Sequence, residues 1–195
     1  TILTRSLLKN SQKKIVAVLA CRVDSTRLYA KPLQKVGNFK ILELLIEQIK
    51  KSKIIDDVIL AISKEQGNEM FVDFAQKNKL KFILGSDRDV LKRLIDAAQY
   101  VNADIIFRIT SENPFIYWEG IDELIKKHIS GKNDLSIIDG LPIGSNYEII
   151  NVNALEISHK NGNKKHRSEL CTLYINQNQE KFRIFRDKPP KIVLR

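Results

Sequence analysis

Ile15-Val-Ala-Val-Leu-Ala-Cys21 is an unbroken apolar run, and it opens directly into Arg22-Val-Asp-Ser-Thr-Arg-Leu-Tyr-Ala-Lys31, a polar segment carrying three cations. An apolar run of this length without alternation predicts a strand buried on both faces. The change to polar chemistry puts a loop at its carboxyl end. Beyond that loop Ile41, Leu44, Leu45, Gln48 and Ile49 follow helical spacing, and Val58-Ile-Leu-Ala-Ile62 is a second buried run. Met70, Phe71, Phe74 and Ala75 line a second helix, and Phe82-Ile-Leu84 closes at Gly85. Val90, Leu91, Leu94, Ile95 and Ala98 predict a third helix, with Ser86 or Asp87 as its N-cap. Ile105-Ile-Phe107, then Ile121, Leu124, Ile125 and Ile129, give a fourth strand and a fourth helix. Four strand–helix alternations in order predict a doubly wound α/β sheet with mainly parallel strands.

The pattern loosens after Asp134. Leu135-Ser-Ile-Ile138, Tyr147-Glu-Ile-Ile150 and Phe182-Arg-Ile-Phe185 predict shorter strands, and Asp139-Gly140 and Pro142-Ile-Gly144 mark turns between the first two. A single core with a partly antiparallel second half is the simplest arrangement.

Composition agrees with one globular domain. The chain has 195 residues, of which 43% are hydrophobic and 29% charged, so disorder is excluded. A chain of this size buries roughly 70% of its unfolded surface, enough to fold without disulfides or a structural metal. No apolar run reaches the roughly 18 residues of a membrane span, and residues 1–14 lack the apolar core of a secretory signal. Two cysteines, Cys21 and Cys171, make neither a disulfide framework nor a zinc set, which fits a cytoplasmic location.

The net charge of +10 is concentrated at the ends. Residues 1–14 form a basic N-terminal extension of net +4. From His159 to Arg195 ten Lys or Arg face three acids, while Ile15 to Ser158 is close to neutral. Neither a stacking aromatic series nor helix-turn-helix or zinc-finger spacing accompanies the basic ends, so solvated lysines explain them without nucleic acid. An anionic small substrate would profit from the same field.

Ligands of open α/β sheets bind beyond the carboxyl ends of the strands. Three segments reach such ends here. Arg22 to Lys31 supplies Arg22, Arg27 and Lys31 with the hydroxyls of Ser25 and Thr26, a set able to hold phosphates. It has no glycine, so it is neither a Walker loop nor a dinucleotide fingerprint. Gly85-Ser-Asp-Arg88 follows the third strand, where a turn and helix cap explain Ser86 and Asp87 equally well. Arg108-Ile-Thr-Ser-Glu-Asn-Pro114 follows the fourth, and its Glu112 is either a magnesium ligand or an exposed acid.

Together these segments resemble the sugar cytidylyltransferases, meaning the 3-deoxy-manno-octulosonate enzymes and their spore-coat-polysaccharide relatives. Arg22-x-x-Ser-Thr-Arg-Leu-x-x-Lys-Pro-Leu33 is similar to their opening motif. Gly85-Ser-Asp-Arg-Asp-Val-Leu-Lys-Arg93 resembles the spore-coat group's motif at the same place, and Arg108-Ile-Thr-x-x-x-Pro114 their fourth-strand turn. Pro142-Ile-Gly-x-x-x-Glu148, Ser168-Glu-Leu-Cys-Thr-Leu-Tyr-Ile175 and Phe182-Arg-Ile184 look like their C-terminal half.

The resemblance implies a Rossmann-like three-layer nucleotide-diphospho-sugar transferase fold with a mixed, mainly parallel sheet. It implies a single nucleotidyltransferase domain over 15–195, truncated before its last acidic turn. It also implies transfer of a nucleotide from a triphosphate, most readily CTP, to a sugar or sugar acid for surface polysaccharide synthesis. Pyrophosphate leaves and Mg2+ assists. By motif position Arg22 and Lys31 are catalytic cations, and Leu19, Ala20, Cys21, Arg22, Ser25, Ser86, Asp87 and Thr110 are nucleotide-binding. Glu112 falls at the metal position, and Asn146 and Glu148 at the sugar. Relatives form homodimers through the second half, where Leu170, Leu173, Tyr174 and Ile175 could serve a partner or the chain's own core. The family's usual Pro-Gly before the lysine is Tyr29-Ala30 here, its aspartate in the second half is Asn146, and its histidine is Leu170. A same-fold enzyme for another base, a non-catalytic nucleotide-binding module and, last, a basic nucleic-acid-binding domain remain as alternatives.

Overall fold

The computed structural model describes residues 13–23 and 28–190. The basic segment 1–12, Ser25 with its neighbours Asp24, Thr26 and Arg27, and residues 191–195 lie outside them.

The first apolar run is β1 (Ile15–Cys21), hydrogen-bonded on both sides. It runs parallel to β4 (Asp57–Ser63) and to β6 (Ile105–Arg108), and β5 (Lys81–Gly85) continues beyond β4 in the same sense. On the other side β8 (Glu148–Asn151) lies antiparallel to β6, β7 (Leu135–Ile138) antiparallel to β8, and β9 (Ile184–Asp187) parallel to β7. The order β5-β4-β1-β6-β8-β7-β9 is the mixed, mainly parallel sheet read from the sequence. A separate ribbon of β2 (Lys35–Val36) and β3 (Phe39–Lys40) turns at Gly37, whose φ of 62° is open to glycine at no steric cost.

Alternation along the strands divides the core in two. Ala17 and Leu19 face one layer with Leu60, Ile62 and Phe107, while Val16 and Val18 face the other with Ile59, Ala61 and Ile106. α1 (Ile41–Ile49), α2 (Glu69–Lys77) and α4 (Ile121–Ser130) cover the first face. α3 (Val90–Tyr100), α5 (Val152–Asn161) and α6 (Leu173–Gln177) cover the second. Each fully buried Leu or Ile contributes about 1.5–3 kcal/mol, which is what fixes the strand register to this three-layer arrangement.

Several local expectations are corrected. The N-cap of α3 is Asp89, whose carboxylate accepts from Lys92 N at 2.9 Å, because Ser86 and Asp87 belong to the turn before it. The buried stripe of α1 is Ile41, Leu42, Leu45, Ile46 and Ile49, with Leu44 and Gln48 at its margin. Ile129, in the last turn of α4, is 40% exposed. The last two strands begin later than their apolar runs, at Glu148 and Ile184, because Tyr147 and Phe182 pack into the core ahead of the ladder. Tyr174 and Ile175 are buried in the chain's own core with Leu173 half-buried, and Leu170 stays 60% exposed. No helix among the described residues is long and apolar enough to cross a membrane.

Candidate active site

Since β1 and β6 are parallel neighbours, their carboxyl ends open on the same edge of the sheet. A cavity of about 70 Å³ lies there, lined by Ala20 and Arg22 from the first strand's exit and by Arg108, Thr110, Ser111 and Glu112 from the second. Val90, Arg93 and Leu94 of α3, with Ile109 and Glu169, complete its wall. The Ser111 hydroxyl donates to the Ala20 carbonyl at 2.8 Å and fixes the two exits to each other.

The cationic loop is anchored at both described ends. Val23 N donates to Asn68 Oδ1 at 2.8 Å, and Ala30 N donates to the Val23 carbonyl at 2.9 Å. Ala30 has φ 45° and ψ 40°, the left-handed conformation that glycine takes without strain, so alanine stands at a position that favours the residue it replaces. Pro32 then opens a short 3-10 turn, Lys31–Leu33, which directs Lys31 inward. Its Nζ meets Glu112 Oε2 at 3.1 Å, with both side chains about one-third exposed. The turn carrying Glu112 is held from α1: Gln48 donates to the Pro114 carbonyl and accepts from Ile116 N at 3.1 Å. Arg22 reaches Glu169 at 3.4 Å on the exposed rim.

Arg22, Ala20, Thr110 and Glu112 therefore share one cavity wall, and Lys31 joins them through its ion pair. Leu19 and Cys21 are fully buried and offer only backbone; burial pushes the Cys21 thiol up to about 12. Ser86 and Asp87 are not brought into this wall. They line a neighbouring recess with Glu65, Gln66 and Arg88, and the Ser86 carbonyl, accepting from Arg93 Nη1 at 2.9 Å, links it to the first. Asn146 is exposed ahead of β8 and is not among the cavity's lining residues. Glu148 is held at the edge of the site by others: Arg108 Nη1 donates to its Oε2 at 2.9 Å and the Thr172 hydroxyl to its Oε1 at 2.7 Å. Ser25 lies outside the described residues.

Two cations that the motifs contain, Arg108 and Arg93, line the cavity although the sequence assigned them no role there. Burial pulls the Arg108 guanidinium down, but the Glu148 carboxylate beside it outweighs this and the net shift is upward. Arg93 is 1% exposed, and burial lowers it from its ordinary value. The available signals were a cation closing the apolar run Ile105-Ile-Phe107 and a cation inside the apolar stripe of α3.

Comparison with known proteins gives the family of the chain and solved structures of the same fold. The cytidylyltransferase family matches residues 16–193. An uncharacterised protein of Methanocaldococcus jannaschii is 33% identical, over 93% of this chain and 75% of its own length. The spore coat polysaccharide biosynthesis protein SpsF of Bacillus subtilis is 28% identical, over 87% of this chain and 73% of its own. A cytidylyltransferase structure from Leptospira borgpetersenii superposes with a TM-score of 0.84 at 26% identity, covering 91% of this chain and 76% of that one.

Proposed function

We propose a reaction for this chain, which belongs to the cytidylyltransferase family of nucleotidyltransferase enzymes: transfer of CMP from CTP to a hydroxyl of a sugar or sugar acid, with release of pyrophosphate, for surface polysaccharide. The observation that carries the reading is the convergence of Arg22, Lys31, Thr110 and Glu112 on the carboxyl ends of β1 and β6. That edge is where the fold places ligands, and its cations suit a triphosphate. The spore-coat relative supports the polysaccharide assignment.

In this reading the backbone of Leu19 to Cys21 and Thr110 faces the base. Arg22 and Lys31 hold the phosphates while the sugar hydroxyl attacks the α-phosphorus. Their charge offsets the negative charge that builds on the bridging oxygen and departing pyrophosphate. Asn146 and Glu148, at the start of β8, meet the sugar. Glu112 shares the cavity wall with one other carboxylate, Glu169; among the described residues no three His, Cys, Asp or Glu side chains gather as a metal set. That donor set fits magnesium, which takes one or two protein carboxylates and completes its shell with substrate phosphates and water. Bound there with the nucleotide, the cation supplies further charge neutralisation on the phosphoryl oxygens. Lys31 and Glu112, partners in the free protein, each exchange the other for the nucleotide complex. We assign the reaction to the cytoplasm and the working assembly to a homodimer.

The test is a thermal-shift comparison of CTP, GTP, UTP and ATP with magnesium, followed by pyrophosphate release on a panel of acidic sugars. CTP alone should stabilise strongly, since a ligand that binds only the native state raises its stability by mass action. Equal stabilisation by all four triphosphates would overturn the cytosine assignment.

A further inference from the structure

The cavity at the ends of β1 and β6 has five charged side chains in its wall, and four have an oppositely charged partner. Arg22 meets Glu169, Arg108 meets Glu148, and Glu112 meets Lys31. Arg93 differs. Its Nη1 donates to the Ser86 carbonyl, its Nε is buried without a hydrogen-bond partner, and it forms no ion pair among the described residues. Nearby groups compensate only in part: burial raises the Cys21 thiol to about 12 and the Cys171 thiol to about 11, so both are neutral, and the Asp87 carboxylate acts on Arg93 through its charge without forming an ion pair.

An unpaired guanidinium removed from water is costly, and an apolar side chain of similar volume would suit this position better. The rest of the buried face of α3 is Val90, Leu91, Leu94, Ile95, Ala97 and Ala98. The cation breaks that stripe at one place, and that place lines the cavity. With Nη1 committed to Ser86 and Nε without a partner, the guanidinium still has donors to spare for an oxyanion. The volume of about 70 Å³ falls far below the roughly 300–1,000 Å³ of a pocket for a whole organic ligand. The cavity therefore takes one group of a larger ligand rather than the whole of it.

We infer that Arg93 is a buried anion anchor, receiving one phosphoryl or carboxylate group of the ligand in this cavity beside Arg22 and Arg108. The source of that group rests on the proposed reaction: a phosphate of the nucleotide or the carboxylate of a sugar acid. The recognised chemistry is the same oxyanion.

The experiment titrates inorganic phosphate, CMP and 3-deoxy-manno-octulosonate into the parent, Arg93→Met and Arg93→Lys by calorimetry. Cytidine is the control without an anion, and circular dichroism reports the fold. Phosphate should bind Arg93→Met about ten- to a hundredfold more weakly than the parent, the range for losing a charge-assisted pair of hydrogen bonds. Arg93→Lys should fall between them, and cytidine should bind all three alike. A loss confined to phosphate and CMP assigns the group to the nucleotide; a loss confined to phosphate and the sugar acid assigns it to the acceptor. Parental affinity of Arg93→Met for every anionic probe overturns the anchor, as does a parent that binds none of them. Should Arg93→Met fail to fold, Arg93→Lys decides, and parental phosphate affinity in it overturns the anchor. Failure of CTP with magnesium to bind the parent overturns the nucleotide reading instead, and the phosphate titration still decides on Arg93.

Discussion

Lys31 Nζ stands 3.1 Å from Glu112 Oε2, joining positions 81 residues apart in the chain. The cation proposed for the triphosphate and the carboxylate proposed for the metal thus neutralise each other in the free protein. In the proposed reaction a metal–nucleotide complex would take the place of this ion pair.

Removing Lys31 should therefore separate two effects. Lys31→Ala is expected to lower turnover by about a hundred- to a thousandfold, the usual cost of a lost transition-state donor. Unliganded stability should change by no more than about 1 kcal/mol, since a partly exposed ion pair is worth little. Lys31→Arg should rescue only partly, because a planar guanidinium does not occupy the ammonium's position. Parental turnover in Lys31→Ala, measured by pyrophosphate release, would refute the role.

The same variant frees a carboxylate. Manganese should bind nucleotide-free Lys31→Ala more tightly than the parent, and adding Glu112→Gln should abolish the gain. Electron paramagnetic resonance of the unbound ion reads both outcomes.

Arg108 and Glu148 keep only 18% of each side chain exposed. Glu148→Gln leaves the Arg108 guanidinium without its countercharge. It should cost about 3 kcal/mol in urea unfolding, the lower end for breaking a buried pair because some solvent contact remains. Replacing both with Arg108→Met and Glu148→Leu should recover most of that loss.

His128 gives the fold a pH dependence. Burial lowers it from its ordinary 6.5, with the Asn151 hydrogen bond opposing, Lys13 adding to the lowering and Asp134 opposing. The unfolded chain thus takes up a proton at a pH where the folded one does not. The stability contribution is full above 6.5 and is lost as pH falls below it, with a slope of at most about 1.4 kcal/mol per pH unit. His128→Gln should flatten this limb in urea titrations between pH 5 and 7, roughly the interval where histidine titrates.

Both cysteines should be silent to thiol reagents in the native state. Cys21 and Cys171 are buried and raised to about 12 and about 11, which leaves almost no thiolate at neutral pH. Ellman's reagent at pH near 8, close to the free thiol's own range, should detect them only after denaturation. Rapid labelling of either thiol would contradict this burial.

The first half of the fold was legible because each strand announces itself locally. Ile15 to Cys21 needs no partner to be read as buried, and Arg22 to Lys31 needs none to be read as a cationic exit. The second half depends on distant partners: Phe182 looks like strand but fills the core, and Glu148 looks like a ligand while Arg108 and Thr172 already hold it. Arg93 was hidden for the opposite reason. On a helix it reads as one more surface cation, and only the packing of α3 against the sheet shows that it is enclosed.

β8 enters the sheet in the reverse direction, its first residue Glu148 registered against the last residue of β6, Arg108. The parallel strands deliver their trailing loops to the edge proposed as the site, but this one delivers its leading loop. Variation in acceptor choice among related chains should thus collect upstream of the strand, over 139–147, where length and composition can drift without touching the nucleotide half. The segment downstream of Asn151 continues into α5 at the far end of the strand, and changes there should alter folding rather than choice of substrate.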